Sequence, residues 1–443
     1  MAACWPRSAA YSTSSPTSRS TGACPRHTRS RQPAARRAAE LPDPHGVDLA
    51  WSVRPVSYPP GRRRRQSGGR RSWPGRPAAP ATAPGARTPV ADPLPDRRRA
   101  THCGRDGLSL SSASRPPPRA GGILAIGTNP LHPLFGVEIL GIDVRRVDEA
   151  TFAEVVEAFD EHSVLLFRRQ PISDEEQIAF SRRFGPLETT IRTIVSQARN
   201  PPEISSLANV DAEDRLIPHG DTRNLFNAGN QMWHSDSSFK RVPALASLLS
   251  AREVPPEGGE TQFASMRVSY ERLPDAMKRF LEGRVAVHSF AYSRGLVGDG
   301  LLPLDHAAQV PPVAQALVRA NPAHGRKSFY VGSHACEILG MQTDEARTLL
   351  RELLELATRP ELVYTHRWQP GDLVMWDNRC VLHRGRPWDE NKYRRVMHRT
   401  TVAGDGLTAP DVPEVAVAPA RETDIAWGRA QLASLRAAGD TVS

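Results

Sequence analysis

The chain has 443 residues, enough for two or three domains of average size. Its charge is unevenly placed: residues 1–120 hold 22 Arg, no Lys and 6 acidic side chains, whereas residues 121–443 hold 36 basic and 42 acidic ones. The basic balance therefore belongs wholly to the first quarter, which removes the nucleic-acid argument from the rest, and no run of 18 apolar residues offers a membrane span.

Residues 1–120 are rich in Pro, Ser, Arg and Ala, carry Arg runs at 62–65 and 97–99, and lack periodic apolar spacing. Such a stretch cannot bury enough apolar surface to offset its chain entropy, so a disordered basic extension is expected. A mis-assigned start upstream of the true one is the simplest reading; an organelle transit peptide and a basic arm for nucleic acid or membranes are the others. Cys4, Cys24 and Cys103 lie in this stretch, and Cys336 and Cys380 beyond it show no CxxC spacing, so a reduced, cytoplasmic protein is expected.

From Gly121 the texture changes to short β-rich runs between helical segments. Residues 136–143 alternate like a strand, and Asp148 to His162 reads as a helix with Phe152, Val155, Val156 and Phe159 on one face. Val164–Phe167 is a buried-strand run, and Ser173-Asp-Glu-Glu opens a helix to about Phe184 with a capping box. Residues 190–228 read mainly as loop around one strand, Ser205 to Val210. Further strands are expected at Ala246–Val254, Thr261–Ala264, Arg284–Phe290, Ser328–Val331, Leu362–Trp368, Asp372–Trp376 and Arg395–Ala403, with an amphipathic helix at Thr343–Ala357. Many short strands and few helices predict a mainly β fold, a two-sheet sandwich or jelly roll with flanking helices. One large domain over 121–405 and a C-terminal tail over 406–443 are expected.

Two His-x-Asp pairs occur, His219-Gly-Asp221 and His234-Ser-Asp236. On a strand, alternation puts both side chains on one face, close enough to share an ion, and a second His completes the two-His, one-carboxylate set of non-haem Fe(II) sites. Among 14 His one such pair arises by chance, and context separates the two. His219 sits in a Pro/Gly/Asp loop, whereas His234 follows Met232-Trp233 and precedes Ser-Ser-Phe239, an aromatic-walled strand end. His383 and His398 compete for the third place. His383 follows a strand and a turn, whereas His398 lies among arginines and alternation from Arg395 puts it on the face opposite Met397 and Arg399, so His383 is favoured. A dicarboxylate co-substrate needs a forked cation for its far end, which Arg395 could supply with the Thr261 hydroxyl beside it.

Four ordered blocks then become recognisable: Gly229-Asn-Gln-Met-Trp-His-Ser-Asp-Ser-Ser-Phe239, Pro256-Glu-Gly-Gly-Glu-Thr-Gln-Phe-Ala-Ser-Met266, Trp376-Asp-Asn-Arg-Cys-Val-Leu-His-Arg384 and Arg394-Arg-Val-Met-His-Arg399. Over residues 122–405 the chain resembles the taurine and 2,4-dichlorophenoxyacetate dioxygenase family, and its phenoxyacetate-degrading branch in particular. The resemblance implies a double-stranded β-helix jelly roll, iron ligands at His234, Asp236 and His383, 2-oxoglutarate contacts at Thr261, Trp368 and Arg395, and substrate contacts at Asn230, Phe239 and Arg399. His219 has no counterpart in the family pattern. The segment from His383 to Arg395 is about one residue longer than in the phenoxyacetate enzyme, making Arg394 a rival to Arg395. Residues 190–228, where the family builds a substrate lid, match only loosely.

The chemistry implied is hydroxylation of a small organic acid using Fe(II), 2-oxoglutarate and O₂, giving succinate and CO₂. An aryloxyacetate would release a phenol and glyoxylate. A sister activity on sulfonates or alkyl sulfates, and a non-enzymatic metal-binding jelly roll, are the alternatives. The expected partner is a small anionic molecule, with no nucleic acid, no membrane, and self-association into a homo-oligomer.

Overall fold

The computed structural model describes residues 126–189, 200–218, 221, 229–298, 304–409 and 417–437, all within the unit Asp106–Ser443. The extension expected over 1–120 and the first residue of the other His-x-Asp pair, His219, lie outside the described residues. Fifteen strands occur among those described: β1 (Thr128–Pro130), β2 (Val137–Ile139), β3 (Val164–Phe167), β4 (Ser205–Ala208), β5 (Ala246–Glu253), β6 (Thr261–Ser265), β7 (Val285–His288), β8 (Val313–Ala316), β9 (Val318–Ala320), β10 (Lys327–Phe329), β11 (Ala335–Ile338), β12 (Val363–His366), β13 (Leu373–Asp377), β14 (Val381–Gly385) and β15 (Val396–Val402).

The main layer is a seven-stranded sheet in the order β1-β2-β3-β13-β5-β15-β4, antiparallel except between β2 and β3. Three-stranded sheets β12-β6-β14 and β11-β7-β8 and the pair β10-β9 accompany it. The sequence explains why the central strands are buried along their whole length. On β13, Val374 and Trp376 join Val164, Leu166, Leu249 and Met397 in packing against Phe263 and Val381 of the smaller sheet. The alternate residues Leu373 and Met375 join Leu165, Phe167 and Leu248 on the other face, against Val155, Phe159 and Phe180 of two helices. Both faces of the strand are covered, so its run is continuously apolar rather than alternating in polarity. Fully burying one such side chain stabilises by about 1.5–3 kcal/mol.

Helix α1 (Glu149–His162) starts where the Asp148 side chain accepts the Thr151 N–H, and ends at Ser163 with φ of 65°. Helix α2 (Asp174–Arg182) has the full capping box, Ser173 and Glu176 each receiving the other's backbone N–H. The expected strand Arg284–Phe290 divides: β7 stops at His288, and the Ser289 hydroxyl accepts the Tyr292 N–H to open a short helix, Phe290–Gly295. The stretch expected as a C-terminal tail carries the helix Glu422–Ala437. Its Asp424 is 2 % exposed and bonds Arg347 at 2.5 Å, and its Trp427 and Leu432 pack near Met232 and Tyr292. Among the described residues no helix is long and apolar enough to cross a membrane.

Candidate metal centre and its cavity

The structure brings His234, Asp236 and His383 together: one ligand atom from each lies within 4.8 Å of the others, and all three residues are buried. His383 stands in the middle of β14, which pairs with β6 so that His383 lies opposite Phe263. His234 is not on a strand, contrary to the strand expected for the His-x-Asp pair. It makes an isolated bridge to His383, with N–H···O distances of 3.0 and 2.9 Å in the two directions, and the chain then turns at once. Asp236 therefore reaches the site from a turn that includes Ser237 at φ of 53°, not by strand alternation. The 3-10 turn Gly229–Gln231 leads the chain into this bridge.

The two rings lie 4.2 Å apart, and the Trp376 ring is 4.6 Å from that of His383. His234 Nδ1 lies 2.8 Å from the Met232 carbonyl, a contact that requires the proton on Nδ1 and leaves Nε2 as a lone-pair donor. Nε2 of His234 and of His383 sit 3.8 and 3.7 Å from the Asp236 carboxylate oxygens. Burial pushes both imidazoles below their ordinary value, so they are neutral. Burial opposes the charge on Asp236, but the Arg399 guanidinium and the hydrogen bond from the Ser247 hydroxyl counter it, and the carboxyl is held below its usual range. Two neutral imidazoles and one carboxylate on a buried, hydrogen-bonded frame are a donor set that suits Fe(II), with three positions left open.

A cleft partly open to solvent runs from the two His of the triad and is lined by His234, His383, Thr261, Asn230, Arg395 and Arg399 among others. Thr261, at the start of β6, is 3 % exposed, and its hydroxyl accepts the Trp368 indole N–H at 3.0 Å. Trp368 thus stands behind Thr261 and does not itself line the cleft. Arg395 is buried, with Nε donating to the Gly259 carbonyl at 3.0 Å and its guanidinium 5.3 Å from the Trp388 ring centre. Burial pushes its pKa down to about 10, which still leaves it charged. Gly259 has φ of 67°, and a Cβ there would sit 3.2 Å from Arg395 Nε, so this close approach requires glycine. Arg394 faces away, bonding Glu253 and Asp214 at the surface.

Arg399 lines the cleft, with Nη1 2.5 Å from Asp236 Oδ1. His398, one residue earlier, lies on the opposite face of β15, where Nδ1 meets Asp174 of α2 at 2.6 Å. Phe239, expected to line the pocket, is not among the cleft residues; its ring packs 4.5 Å from Phe290 and 4.9 Å from His334. Sequence reasoning missed Gln231, Asn209 and Trp388, which do line the cleft. Gln231 follows Asn230 directly, and Trp388 falls among the 11 residues between His383 and Arg395, where no periodicity marks it.

A site of this kind on a mainly β scaffold defines a class, and the comparisons agree. Residues 127–401 match the model of the taurine catabolism dioxygenase TauD, TfdA family. The chain belongs to that family and is an oxidoreductase of its dioxygenase class. It is 43 % identical over 287 residues to the alpha-ketoglutarate-dependent 2,4-dichlorophenoxyacetate dioxygenase of Cupriavidus pinatubonensis, covering 64 % of this chain and 100 % of that one. It is 36 % identical over 286 residues to the (S)-phenoxypropionate/alpha-ketoglutarate-dioxygenase of Sphingobium herbicidovorans, covering 62 % and 94 %. Among solved structures, AAD-2 in complex with Mn(II) and N-oxalylglycine matches with a TM-score of 0.59 at 42 % identity, covering 64 % of this chain and 98 % of that one.

Proposed function

We propose that this protein is an Fe(II)- and 2-oxoglutarate-dependent dioxygenase that hydroxylates a small aryloxyalkanoate, on a double-stranded β-helix formed by the two facing sheets. The observation that carries the reading is a single cleft that joins His234 and His383 of the triad to Arg395 and, separately, Arg399, with Arg386 also in its lining. One cation serves each of two anions that must meet at the metal. The relatives named for 2,4-dichlorophenoxyacetate and phenoxypropionate support the substrate class.

When bound, the iron supplies O₂ activation coupled to decarboxylation of 2-oxoglutarate, leaving succinate and CO₂. The protein binds, orients and excludes water. Arg395, with Thr261 beside it, holds the far carboxylate of 2-oxoglutarate by charge-assisted hydrogen bonds. Asn230 and Arg399 orient the carboxylate of the substrate so that its ether-bearing carbon faces the metal. Leu207, Leu249 and Trp388 supply the apolar wall. Hydroxylation of that carbon makes the ether collapse to a phenol and an oxoacid. The cleft takes a small molecule, and the net acidic charge of residues 121–443 disfavours a polyanion. We also propose that the protein works as a homo-oligomer.

The test is turnover of the full chain with Fe(II), 2-oxoglutarate and O₂, offered phenoxyacetate or an alkyl sulfate. Succinate formed in step with phenol supports the reading. Preference for the alkyl sulfate replaces it with the sister activity, for which a 30 % identical alkylsulfatase of Acinetobacter baylyi is the nearer parallel.

A further inference from the structure

We infer that Asn378 is a positioning residue for the metal-binding carboxylate, acting through Ser247. This rests on the reading of the triad as an iron centre. Asp236 is the one triad member that no strand or bridge holds: His383 lies in β14 and His234 in its bridge, while Asp236 begins a turn. Something else has to fix it.

Asn378 is fully buried at the turn between β13 and β14, and all of its polar groups are used. Its side-chain Oδ1 accepts the Asp236 backbone N–H at 3.1 Å and the Trp376 indole N–H at 3.0 Å. Two donors on one atom settle which end of the amide is oxygen. The amide nitrogen must then donate, and it does, to the Ser247 hydroxyl at 2.9 Å. That leaves the Ser247 proton with one direction to go, to Asp236 Oδ2 at 2.7 Å. The chain of bonds runs Asn378 N–H to Ser247 O–H to carboxylate, each link orienting the next. The Asn378 carbonyl also accepts the Ser235 hydroxyl at 2.5 Å, and its N–H donates to Leu245 O at 2.9 Å.

Asn378 thus grips the segment at residue 235, at the backbone of 236 and at the side chain of 236. One stretch of chain, the turn from β13 in the main sheet to β14 in the smaller one, supplies both His383 and the residue that places the opposing carboxylate. Ser247, on β5, contributes only the hydroxyl. Groups in this position around a metal fix the ligand atom's direction, and their loss costs about ten- to a hundredfold in metal affinity.

The experiment is titration of the metal-free full chain with Co(II), whose d–d absorption reports ligand geometry, in wild type, Ser247→Ala, Asn378→Ala and the double variant. Co(II) affinity should fall by about ten- to a hundredfold in Ser247→Ala, with an altered d–d band and an unfolding midpoint of the metal-free protein close to wild type. Adding Ser247→Ala to Asn378→Ala should weaken binding no further, because both act through one chain of bonds. Wild-type affinity and band shape in Ser247→Ala overturn the inference, as does a loss of affinity matched by an equal loss of metal-free stability. If Asn378→Ala does not fold, Ser247→Ala decides alone. A wild-type chain that binds no Co(II) overturns the iron-centre reading itself, a result distinct from variants that bind as wild type does.

Discussion

The Arg399 guanidinium lies 2.5 Å from Oδ1 of Asp236, so the cleft-facing cation of β15 is tied to the carboxylate of the triad. Arg399 lines the cleft and so can meet a substrate anion while it touches the carboxylate. Charge-assisted hydrogen bonds of this kind contribute about 1.5–3 kcal/mol each. Arg399→Ala should therefore raise the KM for an aryloxyacetate by about ten- to a hundredfold by the same arithmetic. The KM for 2-oxoglutarate should change far less. Steady-state kinetics with each co-substrate varied in turn checks this, and equal effects on both would count against the assignment.

Arg394 and Arg395 are neighbours with opposite surroundings. Arg395 is buried against Gly259 and Trp388, while Arg394 is half-buried at the surface and paired with Glu253 and Asp214. Arg395→Ala should raise the 2-oxoglutarate KM severely. Arg394→Ala should leave both KM values near wild type and cost at most about 1 kcal/mol of stability, as surface ion pairs do. A reversed pattern would transfer the role to Arg394.

How much of this site could be read from the sequence is clearest at the histidines. The alternation argument that set His398 on the face opposite Arg399 matches its bond to Asp174 on α2. The same argument failed for His234, because a His-x-Asp pair looks identical whether a strand or a bridge followed by a turn carries it. The strands β5 and β15 were legible because they are long, eight and seven residues, and β13 because its run Leu373 to Trp376 is continuously apolar. Strands β1 and β9, three residues each, and β8 and β11, four residues each, carry too little pattern to detect, whereas β10 was expected slightly late, at Ser328–Val331. The helix Glu422–Ala437 was missed because its grip on the domain is a buried ion pair, Asp424 with Arg347, rather than a broad apolar stripe. Asn378 stood inside a recognised block, but its hydrogen bonds to the Asp236 turn depend on residues more than a hundred positions apart.

His398→Gln should leave metal binding intact, whereas His383→Ala should abolish it. The same position predicts a pH effect on stability. Burial raises the Asp174 carboxyl, but the His398 contact and Arg252 outweigh it, so the folded value lies below the ordinary 3.8. A depressed carboxyl adds stability that is fully present above the unfolded value and is lost as pH falls through the folded one. Asp174→Asn should therefore flatten the acid limb of an unfolding-midpoint profile below about pH 4. An unchanged limb would show that the pair adds nothing.

Asp424→Ala should destabilise the domain by up to about 3–5 kcal/mol, because it removes the shorter of the two ion pairs made by the buried Arg347. Thermal or urea unfolding measures this. A change within error would mean that Glu337, which also bonds Arg347, suffices.

The central claim is that one cleft holds iron, 2-oxoglutarate and an aryloxyalkanoate together. The full chain, mixed anaerobically with Fe(II) and 2-oxoglutarate, should give a weak visible metal-to-ligand charge-transfer band that phenoxyacetates perturb and taurine does not. No band in wild type, with His383→Ala indistinguishable from it, would contradict the claim.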